Sequence, residues 1–267
     1  MTSGGGKSGA VMSVAGRQAA DETETFRRTV PPLLSFISGF VDTIGFLGLF
    51  GLLTSQVTGS FIAAGAAFVT HEPGLASKLL AMPMFMVGAV AMTVLAAGLR
   101  RSGRDPVPWA LVMVAGLIGL FMAVAVAGQP FTSPDEAAAR AVAVIAFIAM
   151  GAESALVRVL FKGSVPANFM TGNVTQVAVE VTDLVLAGTG LLNGGNGSAD
   201  AARVKAARAQ IKVLLPMIAC FILGSTIAAH AFVAVGFWSL LLATGLVTAA
   251  ALWAIYGGSA LSTGQPA

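Results

Sequence analysis

The stretch Leu33–Leu53, LLSFISGFVDTIGFLGLFGLL, decides the fold. Its apolar length is what a helix needs to cross about 30 Å of hydrocarbon. No water reaches a backbone at that depth, so amides and carbonyls must pair within the segment, as a helix allows. A membrane barrel would show alternating polar and apolar positions, and none are visible here. Five further runs read the same way: Leu79–Leu99, Trp109–Ala127, Ala141–Phe161, Val213–His230 and Val235–Tyr256. Only a short stretch near Ala231–Ala234 separates the last two, which predicts a tight helical hairpin.

Composition agrees with this reading. Hydrophobic residues make up 56% of the 267, charged residues 10%, and the mean hydropathy is +0.86. A soluble domain carries about 25% charged residues, so a soluble enzyme is excluded. The net charge of +3 does not point to nucleic acid, because the basic residues flank the spans, where topology accounts for them. The single cysteine, Cys220, lies inside an apolar run and rules out an intramolecular disulfide. Residues 1–28, rich in Gly, Ser and Ala with mixed charge, read as a disordered cytoplasmic tail without a signal peptide. Gly4-Gly5-Gly6-Lys7-Ser8 lacks the first glycine and the preceding strand of a phosphate loop. His71 and His230 sit near span ends, and no metal-ligand, Cys–His or Ser–His constellation is apparent. No catalytic residue, metal or cofactor is therefore expected.

Two further segments read as short, broken or re-entrant helices. Ser55–Thr70 is too short to cross, and Ala167–Leu186 holds Asn168, Thr171, Asn173, Gln176, Glu180 and Asp183. A single acid at the centre of a span costs about 2.5–3.5 kcal/mol on insertion scales. The two segments correspond. Each follows a span bearing an acid (Asp42, Glu153), opens on a Thr-Gly pair (Thr58-Gly59, Thr171-Gly172), and precedes a proline-bearing span with Phe-x-x-Gly. Those last motifs are Phe85/Gly88 after Pro83 and Phe221/Gly224 after Pro216, and acid-to-threonine spacing is 16 and 18. This is an internal duplication: residues 29–128 form a first membrane repeat, 139–258 a second, and 259–267 a short tail. With six crossings the N-terminus shares a side with Arg100/Arg101/Arg104, Arg158/Lys162 and Arg203/Lys205/Arg208/Lys212, leaving Lys78 and Arg140 opposite. The positive-inside rule then makes the N-terminus cytoplasmic. Three crossings per half invert the second repeat, a transporter pattern. The expected fold is an all-α membrane protein of six transmembrane helices plus two short helices, in two inverted repeats.

Several residues could carry chemistry. Gly39, Asp42, Gly45, Gly48 and Gly51 recur every third position, a stripe that lets a neighbouring backbone approach. Asp42 reads either as a hydrogen-bonded acid in that packing seam or as an acid facing a polar cavity. Threonine can cap exposed helix amides and glycine lets a ligand reach the backbone, so Thr58, Gly59, Ser60, Thr171, Gly172, Asn173 and Gln176 are candidates for substrate binding. Pro166 favours an extended approach to the second of these starts. On the second short helix Asn173, Gln176, Glu180 and Asp183 fall on one narrow stripe, whereas the first half has Ser60, Ala63, Ala67 and Thr70 there. Asp42, Glu153, Glu180 and Asp183 are candidates for proton or ion coupling.

The form Gly39-x-x-Asp42-x-x-Gly45-Phe46 leading to Thr58-Gly59-Ser60, with Met170-Thr171-Gly172-Asn173-Val174-Thr175 in the second half, resembles the YoaK-like family of bacterial multi-pass membrane proteins, a domain of unknown function. The likeness runs over about Leu33 to Tyr256 and implies a bacterial inner-membrane location. Family members usually show Thr-Gly-Asn in the first copy too, so Ser60 is a departure. The function expected is secondary transport of a small solute between the two Thr-Gly starts. A passive channel and a non-transporting scaffold or assembly factor stand as alternatives. The expected partners are the lipid bilayer and a small solute or ion, not nucleic acid, with homo-oligomerisation left open.

Overall fold

The computed structural model describes residues 14–161, 169–189 and 197–256, and all regular structure in them is helical. The helices are α1 (Val14–Gly48), α2 (Val57–Thr70), α3 (Leu75–Arg101), α4 (Pro106–Gly128), α5 (Ala137–Leu160), α6 (Met170–Gly188), α7 (Gly197–Val235) and α8 (Leu240–Tyr256). Helix α1 starts well before its apolar run, so residues 14–28, expected to be disordered, are helix instead. Good helix formers fill that stretch, Arg28 Nε reaches Glu24 Oε1 at 2.6 Å one turn away, and the anchored span removes the cost of nucleation.

Five segments are long and apolar enough to cross a membrane: Asp21–Gly48, Leu75–Arg101, Pro106–Gly128, Ala137–Leu160 and Ala201–Tyr256. The expected count is six, and the difference lies in the last of these. Its 56 residues contain α7 and α8, joined without a loop through the 3-10 turn Gly236–Ser239. The break falls at Gly236 rather than near Ala231–Ala234 because the turn needs a positive φ, here +60°, which glycine adopts without strain. Beyond it α8 runs back along α1. The Phe237 ring meets Gly48 at the end of α1, and Trp253 packs edge-on against Phe26 farther back along it.

Two helices form the centre. In their most apolar windows α1 is 67% buried and α5 72%, against 22% for α3. The outer helices leave Ile62, Phe68, Val90, Val94 and Val233 exposed, an apolar surface that suits lipid and not water.

Helix α1 packs chiefly on α7, and α5 chiefly on α3. Both crossings use reciprocal glycines. A Cβ on Gly39 would lie 2.3 Å from the Phe221 carbonyl oxygen, and one on Gly224 2.1 Å from that of Phe36. At the other crossing Gly88 faces the Ile148 carbonyl and Gly151 that of Phe85, each at 2.0 Å. Thus Phe85-x-x-Gly88 and Phe221-x-x-Gly224, the matching motifs of the two halves, each bind the central helix of the other half. The glycine stripe of α1 accordingly serves several partners and is not one seam: Gly39 meets α7, Gly45 faces Thr54, and Gly48 faces Phe237 and Phe232.

Phe26 and Arg27 of α1, the end of α3, the start of α4 and the end of α5 meet at one end of the bundle, where they line a common cleft. Arg27, Arg100 and Arg104 line it, and Arg28, Arg101 and Arg158 lie within two residues of its lining in the chain. Asp105 closes the turn into α4 by accepting the Val107 amide at 2.9 Å, with Pro106 at the first helical position. The opposite end carries Lys78 and Arg140 among Glu72, Asp135 and Glu136. There Glu136 accepts from the Thr132 hydroxyl, the Thr132 amide and the Ser133 amide, which hold its carboxyl below the usual range.

Candidate functional site

The chain between α1 and α2 places the first acid. After Gly48 it turns through Phe50 and Gly51, both at positive φ, and doubles back along α1. Thr54 and Ser55 thereby reach Asp42, about 9 Å of helix inside the end of α1. Asp42 Oδ1 accepts the Ser55 amide at 2.9 Å and the Thr54 hydroxyl at 3.1 Å, while Oδ2 accepts the Ser55 hydroxyl at 2.8 Å. Helix α2 starts beside this anchor and ends where α3 begins. Its 14 residues span about 21 Å, too short to cross.

The second acid is Glu153 on α5, fully buried. Ser38, one turn before Asp42 on the same face of α1, donates its hydroxyl to Glu153 Oε2 at 3.0 Å. Among the described residues Glu153 Oε1 has no partner. Ser35, Ser38 and Asp42 on α1 and Glu153 and Ser154 on α5 are all buried. Buried polar groups need partners, and a carboxylate can accept several hydrogen bonds. Asp42 is therefore well satisfied, while Glu153 retains capacity for another donor or a proton.

The two Thr-Gly pairs do mark helix starts, but not by capping. Helices α2 and α6 begin at Val57 and Met170, the cap positions are Gln56 and Phe169, and neither makes a side-chain cap bond. Thr58 and Thr171 sit inside the first turn and are exposed. Gly59 makes room for the Leu53 side chain and Gly172 for the Phe169 ring, whose Cε1 would lie 2.0 Å from an added Cβ. Ser60 is buried and donates to the Leu53 carbonyl at 3.1 Å. The two starts do not come together, since α2 rests on α3, α6 rests on α7, and the two short helices do not touch.

The stripe on α6 divides. Asn173 is buried, Gln176 is exposed and donates to Glu180 Oε1 at 2.6 Å, and Glu180 and Asp183 are half-buried. Pro166, Asn168 and Lys162 lie outside the described residues. No group of three His, Cys, Asp or Glu that could hold a metal ion occurs among the described residues. Sequence reasoning passed over Ser38, Thr54 and Ser55. The available signal was that Ser38 lies one turn from Asp42, and that Thr54-Ser55 fills the gap between span and short helix.

These features define an all-helical integral membrane protein with buried acids on its two central helices. A family model described as "Protein of unknown function (DUF1275)" matches residues 32–253, and the chain belongs to that family. No curated protein and no solved structure matches it.

Proposed function

We propose that the protein is a secondary transporter of a small solute, working through the buried carboxylates Asp42 and Glu153. The observation that carries this reading is the Ser38–Glu153 bond, which links the central helices α1 and α5 one turn from Asp42. Intramembrane acids are costly and mark ion or proton paths by default. The reading gives the two acids unequal tasks. Asp42, held by three donors, anchors the dip before α2, and Glu153, held by one, exchanges a proton or ion as the solute moves. The exposed Thr58 and Thr171 count against a site between the Thr-Gly starts, so the site is assigned to the central acids.

The same proposal includes six crossings, two inverted repeats, a cytoplasmic N-terminus in a bacterial inner membrane, and closer kinship with YoaK-like proteins. Support comes from the reversal at Gly236, the matched Phe-x-x-Gly crossings and the collection of arginines at one end. In a Cys220→Ser background, single cysteines at the exposed positions Arg101, Arg158 and Lys205 should all label from the cytoplasmic face. Any one of them labelling from outside would overturn the topology.

Glu153→Gln tests the transport reading. The amide keeps an oxygen for Ser38, so the protein should fold, but it carries no exchangeable charge. Proteoliposomes holding a pH-sensitive dye, challenged with a panel of metabolites, nucleobases and inorganic ions, should show solute-dependent proton movement with the wild type and background signal with the variant. Undiminished movement in the variant would return Glu153 to packing. A wild type inert to the whole panel, whose deletion alters no cellular uptake, would favour a scaffold.

A further inference from the structure

At the arginine-rich end of the bundle lies a cleft of about 360 Å³, the size range of small-molecule sites. Phe26 and Phe161 lie buried beneath it and stack with ring centroids 6.2 Å apart, and the half-buried Val107 and Leu160 give its wall an apolar part. Three arginines from different elements line it, Arg27 on α1, Arg100 on α3 and Arg104 in the turn before α4. None has a carboxylate partner among the described residues, where the one ion pair is Arg28–Glu24. Arg100 is nevertheless held in place, since its Nη2 donates to the Val159 carbonyl at 2.9 Å. Asp105 also lines the cleft, with its carboxylate engaged by the Val107 amide. Three positive charges and one negative leave a formal excess of +2.

We propose that this cleft binds the phosphate of an anionic phospholipid headgroup. Guanidinium forks match phosphate oxygens in geometry and charge. Basic clefts between helix ends at a membrane surface are where acidic headgroups are held. Val107 and Leu160 in the wall suit the glycerol and upper acyl carbons of a lipid, which a free phosphate ion would leave unmatched. Asp105 favours a singly charged phosphodiester over a dianion. Lipid bound here would join α1 at Phe26–Arg27, the end of α3 and the end of α5. It would so brace the two central helices from one side. The proposal does not depend on transport.

The test uses the full chain in neutral detergent, with thermal unfolding followed against added dihexanoyl phosphatidylglycerol, dihexanoyl phosphatidylcholine or inorganic phosphate. Phosphatidylglycerol should raise the midpoint in a saturable way and phosphatidylcholine should not, because a ligand stabilises the state that binds it. Arg104→Gln, which removes no hydrogen bond seen in the fold, should raise the half-saturating concentration roughly fivefold, the effect of one cation near an anionic headgroup. Arg100→Gln should do at least as much, and Arg101→Gln, equal in charge but outside the cleft, should do nothing. Equal stabilisation by both lipids, or an unchanged response in Arg104→Gln, would overturn the site. Stabilisation by inorganic phosphate at the same concentrations would overturn the lipid assignment in favour of a soluble phosphate ligand.

Discussion

Gly151→Ala is expected to cost about 3 kcal/mol or more and to leave little folded protein after extraction. The added methyl would lie 2.0 Å from the Phe85 carbonyl oxygen and 3.0 Å from the Phe85 Cα, so it meets backbone and not a side chain that could turn aside. Overpacking typically costs about 1–3 kcal/mol where side chains can yield; here two helices must part. For a chain of this size that loss lowers the melting midpoint by roughly 6–12 °C. Gly224→Ala should behave alike, because its methyl would meet the Phe36 carbonyl at 2.1 Å. Gly116 and Gly245 have no atom within 4 Å of an added Cβ. Alanine at either should be neutral or stabilise by about 0.5–1 kcal/mol, the helix penalty of glycine. A midpoint for Gly151→Ala equal to those controls would show that α3 and α5 are not in backbone contact.

Asp42→Ala should be the most damaging change to the first half that leaves the crossings intact. It strands the buried Ser55 amide and two hydroxyls at once, and each unsatisfied buried group costs about 1–3 kcal/mol. The return segment before α2 should then detach from α1. Asp42→Asn should lose less, since one oxygen can still accept while the new amide faces donors. A cysteine replacing the buried Ser60, in the Cys220→Ser background, reports the change directly. It should be slow to label with Asp42 present. In the Asp42→Ala variant it should label at least tenfold faster, a factor that corresponds to about 1.4 kcal/mol of local stability. Unaltered labelling would mean that α2 is held by α3 alone.

Much was legible along the chain. Apolar length located the helices, because the bilayer forces each long run to satisfy its own backbone. The recurring Phe-x-x-Gly motif also pointed to the right glycines, since it lies at the two crossings that hold α1 and α5. The expected acids Asp42 and Glu153 are buried on the central helices. The Thr-Gly pairs were informative about where α2 and α6 begin and misleading about why. Their spacing suggested caps, yet whether a threonine caps or simply sits in the first turn depends on one residue of register. Phe169 and Leu53, packing over Gly172 and Gly59, decide that register.

By itself, then, the sequence determined that this is a helical membrane chain, roughly where its helices lie, and that acids and glycines recur in both halves. Those properties follow from local composition and periodicity, which act along the chain. Tertiary structure alone decided that α7 crosses α1 and α3 crosses α5, that Ser38 reaches Glu153 across 115 positions, and that Arg27, Arg100 and Arg104 converge on one cleft. Apolar helices in a membrane have no hydrophobic preference among neighbours, so close backbone fit and a few buried polar bonds select the partners. Those contacts join residues far apart in the chain and leave no periodic trace.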